Sequence, residues 1–189
     1  MKLKIFCLLL LGILLSCQQE DFASQISKLQ SSMNGIESAT EKMELINQFK
    51  SKFPDIAALK SQLTALIEEV KGSIYNESTN RLDPNLAADY VQKCELFAQM
   101  MPEDAESPKY LFQAGETARS SRQYAKALEI YDIIYSKYSN YEKAPQALFL
   151  KAFTLDNDLK QYDKARGIYE NFLAKYPEDD FADDTQFLL

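Results

Sequence analysis

Residues 111–138, LFQAGETARSSRQYAKALEIYDIIYSKY, and residues 149–176, FLKAFTLDNDLKQYDKARGIYENFLAKY, align without a gap at a constant offset of 38. Identities fall at Ala114/Ala152, Gln123/Gln161, Tyr124/Tyr162, Lys126/Lys164, Ala127/Ala165, Ile130/Ile168, Tyr131/Tyr169, Lys137/Lys175 and Tyr138/Tyr176. A fixed period of this size marks an architecture of stacked supersecondary units, each unable to bury its apolar face alone. Within each unit, Tyr-x2-Ala-x3-Tyr is helical spacing that puts all three side chains on one face. The small Ala lets a neighbouring helix approach, and the rings fill the space on either side. The preceding helix carries its own stripe: Leu111, Ala114, Gly115 and Ala118 in the first unit, Phe149, Ala152 and Phe153 in the second. The expected fold is therefore all-α, an α-solenoid of antiparallel helix pairs.

Upstream, a weaker pattern recurs. An apolar residue, three others, a second apolar residue and then Pro with an acid occur at Phe49…Phe53-Pro54-Asp55 and at Phe97…Met101-Pro102-Glu103, and again at Phe172…Tyr176-Pro177-Glu178. Proline disfavours helix in the residue before it, so each instance predicts a helix end. Asp83-Pro84 and Ser107-Pro108 predict helix starts, with a capping side chain followed by Pro at the first helical position. Ile56, Leu59, Leu63, Leu66, Ile67 and Val70 form one apolar stripe. Phe22, Ile26, Leu29, Met33 and Ile36 form a heptad-like seam, open to a coiled-coil partner or to the next helix. A break is expected over 72–83, where Gly, Asn, Ser and Thr gather.

The first residues read as an address. Lys2 and Lys4 precede an apolar run, Ile5 to Leu15, shorter than the ~20 residues needed to span a bilayer. Leu14-Leu15-Ser16-Cys17 follows, and it resembles the lipobox of bacterial lipoproteins. That resemblance implies cleavage after Ser16, a diacylglyceryl group on the Cys17 thiol and acylation of the new amine. Several acyl chains anchor a protein stably, where one alone is marginal. Gln18-Gln19-Glu20-Asp21 resembles the surface-export signal of some lipoproteins, with an ordinary polar tether as the alternative. Of three cysteines, Cys94 alone would remain free in the processed chain, in the apolar spacing Tyr90, Cys94, Phe97, Met101 of a core thiol. The expected division is a signal peptide at 1–16, a lipidated tether at 17–21, degenerate helix pairs at 22–82 and repeats at 83–189, with units at about 108–141 and 146–179.

Composition excludes more than it assigns. The formal net charge of −7 disfavours nucleic acid as a partner. The absence of His removes the usual general base and the commonest metal ligand. No glycine-rich phosphate cradle is present, and the acids at Glu178-Asp179-Asp180 and Asp183-Asp184 lack the spacing of a calcium loop. Neither a catalytic residue, a cofactor nor a metal is expected.

The two units resemble tetratricopeptide repeats. The family pattern falls on Leu111, Gly115, Tyr124, Ala127 and Tyr131, and on Phe149, Tyr162, Ala165, Tyr169 and Pro177, with Ala152 completing the expected repeat core. Three departures stand out: the longer period, Phe153 where a small residue is usual, and Ser139 in place of the first unit's terminal Pro. Units of this kind are most similar to those of BamD-like outer-membrane assembly lipoproteins and Tol-Pal-associated repeat proteins. Phe181-Ala182-Asp183-Asp184 resembles the start of a further unit. The resemblance implies a protein-binding groove lined by first helices, at Lys109, Phe112, Glu116 and Arg119 and at Ala147, Leu150, Thr154, Asn157 and Asp158. It implies a lipid-anchored envelope scaffold at the outer membrane, on its periplasmic face or the cell surface, that binds other envelope proteins or peptides. The alternative is a surface lipoprotein contributing to glycan or nutrient capture, against which the absence of Trp weighs, since sugar platforms favour aromatic stacking.

Overall fold

The computed structural model describes residues 21–76 and 81–189. The expected signal segment, the lipobox-like stretch with Cys17 and most of the expected tether lie outside the described residues. The chain divides into two compact units, one ending at Phe49 and one running from Lys50 to Leu189.

The first unit holds α1 (Phe22–Met33) and most of α2 (Ala39–Lys50). Asp21 caps α1 by accepting from the Ser24 N–H at 2.8 Å. Ile26 and Leu29 of the expected seam are buried, as are Ile46 and Phe49 of α2, and the Phe22 and Phe49 rings meet at 6.3 Å. Within this unit Phe22 of the seam thus touches the next helix.

The second unit is a succession of helices, each packed on the one before it. They are α3 (Ile56–Ser73), α4 (Pro84–Met100), α5 (Glu106–Ser120), α6 (Tyr124–Lys137), α7 (Ala144–Phe153), α8 (Tyr162–Lys175) and α9 (Ala182–Leu188). This nearest-neighbour packing is the signature of a repeat stack. In the expected break α3 runs on to Ser73, and the described residues beyond it form a two-residue antiparallel pairing, β1 (Tyr75–Asn76) with β2 (Arg81–Leu82). Asp83 caps α4 as anticipated, its Oδ1 accepting from Asn85 N at 2.8 Å and Leu86 N at 3.1 Å with Pro84 in the first turn.

Ser107 does not cap α5. That helix begins two residues earlier, at Glu106, where Asp104 Oδ1 accepts from Glu106 N at 3.0 Å. Ser107 is instead fully buried and donates its hydroxyl to the Met101 carbonyl at 2.5 Å.

Three corners between helices share one backbone pattern. Asp104 N donates to Met101 O and Ser107 N to Asp104 O; Tyr141 N to Tyr138 O and Ala144 N to Tyr141 O; Asp179 N to Tyr176 O and Ala182 N to Asp179 O. The second helix of each pair ends the same way, with Met101, Tyr138 and Tyr176 donating to Phe97, Ile134 and Phe172, all three fully buried. Cys94 thus occupies on α4 the place that Tyr131 and Tyr169 hold on α6 and α8. It is buried as expected, which pushes its thiol up to about 12.

The turns inside the last two pairs reveal a register change. In the first, Ser121, Arg122 and Gln123 donate to the carbonyls of Thr117, Arg119 and Ala118; in the second, Leu159, Lys160 and Gln161 donate to those of Thr154, Asp156 and Leu155. Arg122 and Lys160 hold the same left-handed place, φ 64° and 56°. The donors correspond at an offset of 38, the acceptors at 37. The second unit's first helix therefore carries one extra residue, absorbed by a π turn over Thr154–Asp158.

Upstream of that turn the matched pairs are Pro108/Pro145, Leu111/Leu148, Phe112/Phe149, Gly115/Ala152 and Thr117/Thr154. The gapless alignment is correct for the second helices and one residue out for the first. Phe153 is consequently not a replacement of the small residue. Ala152 is that residue, fully buried, while Phe153 corresponds to Glu116.

Gly115 shows why a small side chain is needed there. A Cβ at this position would lie 2.6 Å from Cε1 of Tyr131. Leu111, Ala127, Tyr131, Phe149, Ala165 and Tyr169 are buried as expected, and Tyr124 is half-buried. Tyr162 is the exception among the expected core residues, 57% exposed. Its counterpart Tyr124 opens a helix covered by α7 and the π turn, whereas α8 packs against α9, of which seven residues are described.

Candidate functional site

The side of the stack formed by the first helices α5 and α7 gathers charged and aromatic groups from both. Arg119, in the last turn of α5, donates from Nε to Asp158 Oδ2 in the π turn at 2.7 Å, and its guanidinium lies 4.8 Å from the centre of the Phe153 ring. Lys143, at the start of α7, sits 4.9 Å from the Phe112 ring centre. Phe112 meets Tyr141 edge to face at 6.4 Å. Each cation is therefore held over a ring that the other helix presents, an attraction worth about 0.5–1 kcal/mol at exposed positions.

Glu116 is exposed on α5 and feels both cations. Its carboxyl is raised above the ordinary value by burial, and the positive charges of Lys143 and Arg119 oppose that rise. Beneath the cluster the Tyr131 hydroxyl is buried with no hydrogen-bond partner. Burial first, then the negative charge of Glu116, raises its pKa. Two cations held over rings beside an exposed carboxylate are groups that can meet polar atoms of a ligand without first being ordered.

The expected groove residues separate into three sets. Glu116, Arg119, Asn157 and Asp158 come together, Asn157 exposed and donating from Nδ2 to Asp158 Oδ1 at 3.4 Å. Lys109 is exposed and pairs with Glu106 at 2.7 Å, which raises its pKa; Leu150 is half-buried against the core around Phe149. Phe112, Ala147 and Thr154 are corrections. Phe112 is 2% exposed, roofed by Tyr141 and Lys143, and is a core residue instead of an exposed anchor. Ala147 and Thr154 are fully buried, with the Thr154 hydroxyl donating to the Leu150 carbonyl at 2.7 Å.

For Ala147 and Thr154 the cause is register: in α7 the carried positions are displaced by one residue, which turns a side chain about 100° around the helix. Phe112, in α5, is in register and is covered by Tyr141 and Lys143. Phe153 and Lys143 belong to the cluster and were missed. The identities Pro108/Pro145 and Phe112/Phe149, read at 37, would have pointed to Phe153.

Among the described residues no group of three or more His, Cys, Asp or Glu is placed to hold a metal ion, and no helix is long and apolar enough to cross a membrane. Residues 146–179 match the family model described as Tetratricopeptide repeat. That segment spans most of α7, the π turn, α8 and the corner after it. No match was found among curated proteins or among solved structures.

Proposed function

We propose that this stack of tetratricopeptide-like helix pairs is a non-catalytic scaffold, held by lipid on Cys17 in the bacterial envelope, that binds other proteins along α5 and α7. The observation that carries the binding reading is the Glu116–Arg119–Lys143–Phe153–Asp158 cluster, drawn from two successive first helices. Groups preorganised on rigid helices lose little freedom when a segment docks, so the free energy of each contact is retained. The matched repeat supports a role in protein interaction. Anchoring rests on the lipobox-like Leu14–Cys17 stretch, and a place in outer-membrane protein assembly rests on resemblance of the repeats.

The test is affinity capture from detergent-solubilised envelope on the immobilised chain, with Arg119→Glu and Lys143→Glu in parallel. Discrete partner proteins that bind the wild type and are lost from both variants are expected. Partners retained equally by all three would remove the cluster from the interface, and retention of glycan in place of protein would support the capture alternative. Incorporation of a labelled fatty acid that disappears in Cys17→Ala tests the anchor.

A further inference from the structure

Arg119 shows how this chain holds a cation on its first-helix face. The guanidinium lies between the Phe153 ring, 4.8 Å from the ring centre, and the Asp158 carboxylate, 2.7 Å away. Lys143 lies over Phe112 in a similar way, 4.9 Å from the ring centre. A third ring, Tyr141, stands in the corner between α6 and α7. It is fixed edge to face on Phe112 at 6.4 Å and is only half-buried. Among the described residues no cation of the chain lies over it.

The acids around Tyr141 are also uncommitted. Burial first, then the negative charges of Glu142, Glu116 and Glu106, raise the pKa of its hydroxyl, so all three carboxylates act at this ring. Glu106 is held by Lys109 at 2.7 Å. Glu116 and Glu142 are both exposed, and among the described residues no ion pair reaches either one. Lys143 acts on Glu116, and Lys109 on Glu142, from beyond ion-pair distance. A ring with two open carboxylates, drawn from α5 and the corner before α7, offers the same chemical partners that Arg119 finds in Phe153 and Asp158.

Resting on the assignment of α5 and α7 as the protein-binding face, we infer that the docking segment of the partner inserts a basic side chain, lysine or arginine, over the Tyr141 ring and between Glu116 and Glu142. Charge selects this occupant. An acidic side chain here would be repelled by two carboxylates, and an apolar one would strip water from both without replacing it. A cation meets the face of a ring and two anions together, and the water it displaces strengthens their attraction.

The probe is a phage-displayed library of random peptides, panned on the immobilised full chain. Synthetic copies of the selected peptides are then titrated into isotope-labelled chain, where shifts of α5 and α7 amide resonances identify binders of this face. These binders are expected to share a Lys or Arg, and changing that residue to Gln should weaken binding about tenfold, as loss of one anchor contact does. Glu116→Gln and Glu142→Gln should each weaken the parent peptide by about three- to tenfold and leave its Gln-substituted copy unaffected, a coupling that general loss of structure does not produce. Both positions are exposed, and unchanged circular dichroism melting verifies the fold. Tyr141→Leu, which keeps apolar cover on Phe112, should weaken binding by about two- to fivefold. Binders that share no basic residue, or whose affinity is indifferent to both Gln variants, would overturn the proposal while leaving α5 and α7 as a binding face. A library that yields no peptide shifting α5 and α7 would remove both.

Discussion

Replacing Gly115 by alanine tests the wedge that holds each helix pair together. The new Cβ would stand 2.6 Å from Tyr131 Cε1, 3.1 Å from Cδ1 and 3.3 Å from Ile130 Cγ2, and both neighbours are fully buried. No ring atom can give way without moving α6 from α5. Overpacking of this kind costs about 1–3 kcal/mol, while the helix propensity of alanine over glycine returns about 1 kcal/mol. Gly167, in α8, supplies the control, because a Cβ added there would meet nothing within 4 Å. Gly167→Ala receives the propensity gain alone. The difference between the two variants therefore isolates the packing term, about 1–3 kcal/mol, with Gly115→Ala the less stable. Urea unfolding followed by circular dichroism measures both. A difference below about 0.5 kcal/mol, the usual scatter for a surface change, would refute the close approach of α5 and α6 at this point.

Tyr131→Phe removes a buried hydroxyl that bonds to nothing and should leave stability unchanged or raise it, whereas Tyr90→Phe removes the donor to Gln113 Oε1 at 2.8 Å and should cost about 1 kcal/mol, read in the same denaturation assay. A double-mutant cycle on Arg119→Ala and Asp158→Ala should give a coupling of about 0.5–1 kcal/mol, because both side chains are more than two-thirds covered and linked by a charge-assisted bond. Asp104 accepts from Lys60 and from the Glu106 N–H, and these bonds hold its carboxyl below the ordinary carboxylate value. Since the folded value is the lower one, its stabilisation is present above the unfolded pKa and fades as pH falls through the folded one; Asp104→Asn should flatten the acid limb of a stability–pH curve. Cys94 should resist a thiol reagent at about pH 8 in the native protein and react once denaturant unfolds the chain, since burial pushes its thiol up to about 12.

The second helices were legible because their chemistry is distinctive. Tyr and Ala alternate at helical spacing in α6 and α8, few other registers reproduce that match, and Ala127, Tyr131, Ala165 and Tyr169 are buried accordingly. The first helices were less so. Their small and apolar residues occur in runs, so that Ala114 falls on Ala152 at one offset and Gly115 on Ala152 at the other. The stronger signal of the second helices carried its offset across the turn. Ser107 misled in another way: Ser before Pro is a capping signature, but Asp104 lies three residues earlier and meets the first N–H with a carboxylate, leaving the Ser107 hydroxyl to the Met101 carbonyl. The α5–α7 cluster was half legible, since Arg119 and Asp158 were named but their partner ring, Phe153, was assigned to the core.

The extra residue could not have been placed just anywhere in the second unit. Ala152 must remain at the small position of its helix, and Gln161 N must still close the turn beyond Lys160, so both sides of the insertion are pinned. Only the last turn of the first helix can take it up. A π turn does this with little loss, because the carbonyls of Thr154, Leu155 and Asp156 each still receive an N–H, from a donor one residue further along than in the preceding unit. What changes is the side that the following residues face. Phe153 is the last residue before the widened turn and Asp158 the last within it, and these two flank the Arg119 guanidinium, one by its ring and one by its carboxylate. Deleting Asn157 should therefore return the turn to the hydrogen-bond pattern of the preceding unit, leave the helix pair folded, and separate Asp158 from Arg119. A deletion variant that melts like wild type yet retains a coupling between Arg119 and Asp158 would show that the pair does not depend on the insertion.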